Sequence, residues 1–185
     1  MRQTSNSSGH PPDIRTKIMM TLNRTAGRAN CLDASALVKL YVNEVGSDIL
    51  QQYIQNEATS YTTSICYFEA LNVLKVKWLY RKEITQKEYK KATLSLTAWF
   101  SLVSEEIRDL DFMSPAVFNQ VQSIAEKYSL DLSDAFQILS VKEGYFSSLS
   151  GESKTILITA DEDLAKAARQ EGIRTWYFLK EPVPW

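Results

Sequence analysis

Four acidic residues occupy positions that an ordinary surface carboxylate does not. Asp33 follows the short apolar run 29–32 and Asp161 follows I-L-I-T-A, so each falls where a strand ends and a helix begins. Glu69 has Ile65 and Val73 four residues to either side, and Asp134 has Leu130 and Ile138, so both lie on apolar helical stripes that face an interior. A helix cap accounts equally well for an Asp at a strand-to-helix junction, and a salt bridge at the core edge accounts for one buried acid. Two interior acids together with two at the same sheet edge are explained more simply by a metal. Burying an ionised carboxylate costs several kcal/mol unless something compensates. Four converging carboxylates repel one another and shift their pKa values upward, whereas Mg²⁺ or Mn²⁺, hard ions that prefer oxygen ligands, stabilise them. Such an ion activates water and neutralises charge building on a phosphate, which is the chemistry of phosphodiester hydrolysis.

The elements that must position these acids can be read from periodicity and caps. Residues 29–32 read as a strand, 35–41 and 47–56 as helices, and 58–62 as a second strand. A long helix follows over 64–81. Thr85 with Glu88 three residues on is a capping-box signature for the next, running to about Ser101. A strand is expected within 104–110. Ser114-Pro115 places a cap and an N1 proline before a helix to Tyr128, and Ser133 opens another. Residues 155–159 form a β-branched strand, 162–171 a helix with Gly172 as its C′ stop, and 175–179 a last strand. Strands separated by helices imply an α/β fold with a mostly parallel sheet covered on both faces. Open sheets of this kind bind ligands at the carboxyl edge, where strand order reverses.

Composition removes other chemistries. The chain has 185 residues, 44% hydrophobic and 23% charged, enough for one domain with a sizeable core. No apolar stretch approaches the roughly 20 residues that span a bilayer, so no membrane association is expected. Cys31 and Cys66 are the only cysteines and sit in apolar segments, which suits reduced thiols in a cytoplasmic protein. His10, the single histidine, lies in a polar tail, which excludes a zinc site, a hydroxyl or thiol nucleophile activated by histidine, and a histidine base. Residues 1–28 hold five basic residues and one acid, so this tail is +4 and the rest of a chain of net charge −1 is −5. The tail is polar and without periodicity, and reads as a disordered extension preceding a domain over 29–185. Its Arg-rich, acid-poor character is that of a transit peptide, but Met19 and Met20 are favoured as later starts of translation. No G-x-G-x-x-G or P-loop supports a nucleotide-binding or response-regulator-like domain.

The segments L-D-A-S-A-L-V-K-L-Y, T-S-I-C-Y-F-E-A-L-N-V-L, L-S-D-A-F-Q-I-L and L-I-T-A-D-E-D-L-A-K-A-A resemble the four acidic motifs of the PIN domain family, in order and in spacing, over residues 29–179. The closest resemblance is to VapC-type toxins of bacterial toxin-antitoxin pairs. It implies a three-layer α/β/α fold and an Mg²⁺- or Mn²⁺-dependent endoribonuclease. Asp33 and Asp134 would then be direct metal ligands, with Glu69 and Asp161 completing the pocket by holding a second ion or orienting the attacking water. Ser35 matches a hydroxyl that supports the pocket in similar proteins. Asp131 and Asp163 compete with Asp134 and Asp161, but only the latter pair falls at the motif positions. The tail over 1–28 has no counterpart in compact members of the family.

The resemblance also implies a homodimer and a cognate antitoxin protein received at the hairpin over residues 64–101. Between Lys75 and Lys91 seven basic residues face two acids, with Trp78, Tyr80 and Tyr89 among them, and this stretch is either an RNA-contacting surface or, as is more usual, a solvated helical face whose aromatic residues pack in the core. Two alternatives stand beside the toxin: a PIN-like nuclease of RNA processing or DNA repair without an antitoxin, and a catalytically inactive RNA-binding PIN module.

Overall fold

The computed structural model describes residues 29–56, 59–104, 109–144, 147 and 155–184; the tail over 1–28 lies outside them. In chain order the elements are β1 (Ala29–Leu32), α1 (Ala34–Tyr41), α2 (Ser47–Asn56), β2 (Ser60–Tyr61), α3 (Ser64–Leu79), α4 (Gln86–Ser104), α5 (Pro115–Tyr128), α6 (Leu132–Glu143), β3 (Thr155–Thr159), α7 (Glu162–Gln170) and β4 (Thr175–Tyr177). The strands form one sheet in the order β2-β1-β3-β4, and every pairing is parallel.

The strands are buried on both faces, and alternation along them sorts side chains into two cores. Leu32, Ile156 and Ile158 join a cluster with Leu37, Leu50, Leu74 and Leu96, so α1 to α4 cover that face. Cys31 and Leu157 join Ile138, Val141, Leu164 and Ala168, so α6 and α7 cover the other. A third cluster, around Val121, Phe136 and Leu139, fixes α5 against α6. The result is the expected three-layer α/β/α arrangement.

Local signals explain most of the boundaries. The capping box is formed as expected: Glu88 Oε2 accepts from the Thr85 amide at 2.7 Å, and Thr85 Oγ1 accepts from the Glu88 amide at 3.2 Å. Gly172 takes φ +80 just past α7, which only a residue without Cβ adopts freely. Pro115 opens α5, although the Ser114 side chain makes no capping bond. The strand expected within 104–110 is not formed by the described residues there. Ser104 completes α4, Asp109 and Leu110 are irregular, and 105–108 lie outside the described residues. Asp109 instead accepts from the Ser64 amide at 2.7 Å, so the segment satisfies the start of α3 rather than a sheet. The second strand is shorter than expected, Ser60–Tyr61, with Ala58 outside the described residues. The last strand stops at Tyr177, and the chain then turns on Lys180 and Glu181 amides that donate to the Tyr177 carbonyl.

Candidate active site at the carboxyl edge of the sheet

Strand order reverses at β1, which has β2 on one side and β3 on the other. The crevice of an open α/β sheet lies at such a point, outside the carboxyl ends of the strands. Asp33 follows β1 directly, and Asp161 stands two residues beyond β3. Glu69 enters from the second turn of α3 and Asp134 from the first turn of α6.

Asp33 is the best-anchored of the four. Its amide donates to the Ile158 carbonyl at 3.2 Å, tying it to β3. Its carboxylate is 4% exposed and accepts from the Ala36 amide at 2.7 Å, the Ser35 hydroxyl at 2.9 Å and the Thr159 hydroxyl at 2.7 Å. Cap and interior acid are therefore one residue. The two hydroxyls also reach the opposite turn, because Ser35 Oγ accepts from the Ala160 amide and Thr159 Oγ1 from the Asp161 amide, both at 2.8 Å. Asp33 and the backbone that carries Asp161 are thus braced as a unit. Asp161 itself is exposed and caps α7, Oδ1 accepting from the Asp163 and Leu164 amides at 2.8 and 2.9 Å.

The electrostatics show convergence. Burial pushes Asp33 up to about 6 despite its three donors, with Glu69 adding to the rise. Asp134 is pushed up to about 7, by burial first and then by the charges of Asp33, Glu69, Asp161 and Asp131. The other three expected acids therefore all act on Asp134, and Glu69 acts on Asp33 as well. Among the described residues, none of the four forms an ion pair with a lysine or arginine. Of the competing acids, Asp131 is an exposed N-cap that adds to the field at Asp134, while Asp163 pairs with Lys166 of its own helix at 3.6 Å.

Among the described residues no three carboxylate, thiol or imidazole groups are gathered tightly enough to ligate one ion. The donor set nonetheless fits a hard divalent cation: carboxylate oxygens only, buried at Asp33, half-buried at Glu69 and Asp134, exposed at Asp161, and among the described residues without a cation of their own. Asp33 and Asp161 are turned onto local donors, so binding an ion requires the side chains to draw together.

Thr159 and Gln137 join the site although neither was expected there. Thr159 ends a β-branched strand and reads as a strand former, yet its hydroxyl bridges two acid-bearing turns. Gln137 is a polar residue between Phe136 and Ile138, one turn after Asp134 and fully buried; a buried amide on the acid's own stripe was the available signal. Cys31 and Cys66 are free, buried thiols, as expected. Of the two readings of the aromatic residues, packing holds for Trp78 and Tyr89, which stack on each other at 4.6 Å and hold the α3–α4 hairpin together, while Tyr80 is 69% exposed. Among the described residues no helix is long and apolar enough to cross a membrane.

By sequence, no curated protein matches the chain. The crystal structure of PAE2754 from Pyrobaculum aerophilum is similar to it with a TM-score of 0.52 at 19% identity, covering 80% of this chain and 90% of that one. The profile of the PIN domain matches residues 31–170, which include the four acids. The chain belongs to the PIN domain family, a superfamily of nucleases that generally depend on divalent metal ions.

Proposed function

We propose that the protein is an Mg²⁺- or Mn²⁺-dependent endoribonuclease and the toxin of a toxin-antitoxin pair. The observation that carries the nuclease reading is the group of acids at the switch point of the sheet: Asp33 and Asp134 have their pKa values raised toward neutrality, and none of the four acids has an ion-pair partner among the described residues. Structural acids in a folded protein are normally paired.

In this reading Asp33 and Asp134 would hold the ion, and Glu69 and Asp161 would complete the site by holding a second ion or orienting the attacking water. When bound, a divalent ion supplies Lewis-acid activation of water and offsets charge on the phosphate. Ser35 and Thr159 donate to the Asp33 carboxylate and hold it at the end of β1 beside the turn that carries Asp161. The half-exposure of Glu69 and Asp134 and the exposure of Asp161 leave the pocket open to a large substrate.

RNA as substrate is supported by the α3–α4 hairpin. Lys75, Lys82, Lys87, Lys90 and Lys91 are exposed and, among the described residues, form no ion pair. The two acids nearby are occupied, Glu83 by Lys77 at 2.7 Å and Glu88 by its capping box. A cluster of free cations on an otherwise acidic domain suits a phosphate backbone. Replacing Lys87, Lys90 and Lys91 together by Gln is expected to raise the KM for single-stranded RNA about tenfold with kcat little changed, and to flatten the dependence of KM on salt; equal KM values place the substrate elsewhere. The toxin role, the antitoxin partner and the homodimer rest on the motif resemblance. Arrest of growth on expression, relieved by a small protein encoded alongside, is the expected result.

The deciding test is cleavage of a panel of structured RNAs with Mn²⁺, with EDTA and by the Asp33→Asn variant. Cleavage in Mn²⁺ alone by the unaltered chain is expected. Persistence in EDTA and in the variant ends the mechanism, and RNA binding without cleavage in Mn²⁺ makes the protein a non-catalytic module.

A further inference from the structure

The four acids sit on separate segments, so something must fix those segments relative to one another. Sheet hydrogen bonds do this for β1 and β3, but α3 and α6 carry Glu69 and Asp134 from outside the sheet. At the place where β1, α3 and α6 meet, one fully buried side chain touches all three.

The amide of Gln137, on α6, has all four of its hydrogen-bonding positions filled. Nε2 donates to the Leu32 carbonyl at 3.1 Å and toward Cys31 Sγ at 2.9 Å, both on β1. Oε1 accepts from Thr63 Oγ1 at 3.2 Å and from Cys66 Sγ at 2.6 Å, at the start of α3. The Leu32 carbonyl can only accept, which fixes which end of the amide is nitrogen. Thr63 Oγ1 in turn accepts from the Cys66 amide at 3.2 Å as the N-cap of α3. One polarised chain therefore runs from the last carbonyl of β1 through Gln137 and Thr63 into the first turn of α3.

Each anchor point is next to a site acid. Leu32 precedes Asp33, Cys66 is one turn before Glu69, and Gln137 is one turn after Asp134. The Leu32 carbonyl is held a second time by Thr62 Oγ1 at 2.6 Å, so the peptide that aims Asp33 is clamped from two elements. We infer that Gln137 is a positioning residue whose buried amide sets the register of β1, α3 and α6 and so gathers Asp33, Glu69 and Asp134 into one cation-binding group.

This inference rests on the metal-dependent reading above, and it predicts binding rather than turnover. Removing the amide while keeping its volume, as in Gln137→Met, leaves Thr63 and Cys66 without an acceptor and frees α3 to shift against β1. The measurement is Mn²⁺ binding to the full chain, followed by the loss of the free-ion EPR signal, beside thermal unfolding. The expected result is a dissociation constant about tenfold weaker, the scale on which outer supports of metal ligands act. Leu139→Ala is the control: it empties a buried site on the same helix in the cluster away from the amide, so it lowers Tm yet keeps Mn²⁺ affinity. Should Gln137→Met not fold, Thr63→Val breaks the same chain from the α3 side and is read the same way. Wild-type affinity in these variants overturns the inference, and so does an equal loss in Leu139→Ala, which makes the effect a general softening. An unaltered chain that takes up no Mn²⁺ removes the metal reading itself, a pattern distinct from either.

Discussion

The helices α6 and α7 carry acids at both of their ends, and the two ends treat them in opposite ways. At one end stand Asp134, in the first turn of α6, and Asp161, the cap of α7; at the other, Glu171 closes α7 beside Lys142 of α6. Glu171 accepts from Lys142 at 2.5 Å, Lys127 at 2.8 Å and the Tyr128 hydroxyl at 2.5 Å, and these donors hold it down to about 2. Asp134 has no such donor and is held up at about 7 by burial and by other acids. One carboxylate is stabilised by its surroundings and the other is destabilised by them. The first arrangement joins α5, α6 and α7; the second gives the fold no such support, which is how a candidate functional site differs from a structural ion pair.

The largest expected effect separates the two ends by activity. Asp134→Asn keeps the shape and removes the charge, and Mn²⁺-dependent RNA cleavage should fall about a thousandfold or more, because a ligand of the catalytic ion is lost. Glu171→Gln should stay within twofold of the unaltered chain in the same assay. Similar losses in both, or in neither, break the contrast.

Stability against pH comes next, and the two ends have opposite slopes. Asp33 and Asp134 titrate at about 6 and about 7 when folded, against an ordinary value of 3.8. Between these values the folded chain binds more protons than the unfolded one, so stability falls as pH rises from about 4 to about 7. In EDTA, Tm should drop by about 5–10 °C between pH 5 and pH 7.5, part of which Asp134→Asn abolishes and added Mn²⁺ at pH 7.5 restores. Glu171, with its folded value depressed to about 2 from 4.5, contributes stability that is complete above its unfolded value and is lost as pH falls toward 2. A flat Tm from pH 5 to 7.5 in EDTA shows that the acids do not strain one another.

The smallest effect is at the paired end. Its lysines are largely solvent-facing, with side chains 61% and 37% exposed, so Glu171→Gln should lower Tm by only about 1–4 °C. A larger loss would make this clamp a main support of the helical layer.

Much of this contrast was legible before folding. Apolar neighbours at i±4 put Glu69 and Asp134 on inward stripes, and strand-to-helix junctions put Asp33 and Asp161 at one edge. These are local signals, carried by 3.6-residue periodicity and by capping chemistry within a few residues. The capping box at Thr85 and the Gly172 stop were legible for the same reason. The strand expected within 104–110 was not formed by the described residues, where Asp109 instead accepts from the Ser64 amide, a contact 45 residues away that no local pattern signals. Trp78 and Tyr89 were open to two readings, and only the closure of the hairpin stacks them together.

The sequence by itself determined most of the elements and their order, and that two acids lie on inward helical stripes and two at strand-to-helix junctions, since each depends on neighbours along the chain. Only the tertiary structure decided that the other acids act on Asp134, that none meets a cation among the described residues, and that Thr159 and Gln137 join their segments. Those facts depend on β1 lying between β2 and β3 and on α6 crossing the start of α3. Such contacts join residues as far as 126 positions apart, and no local pattern encodes them.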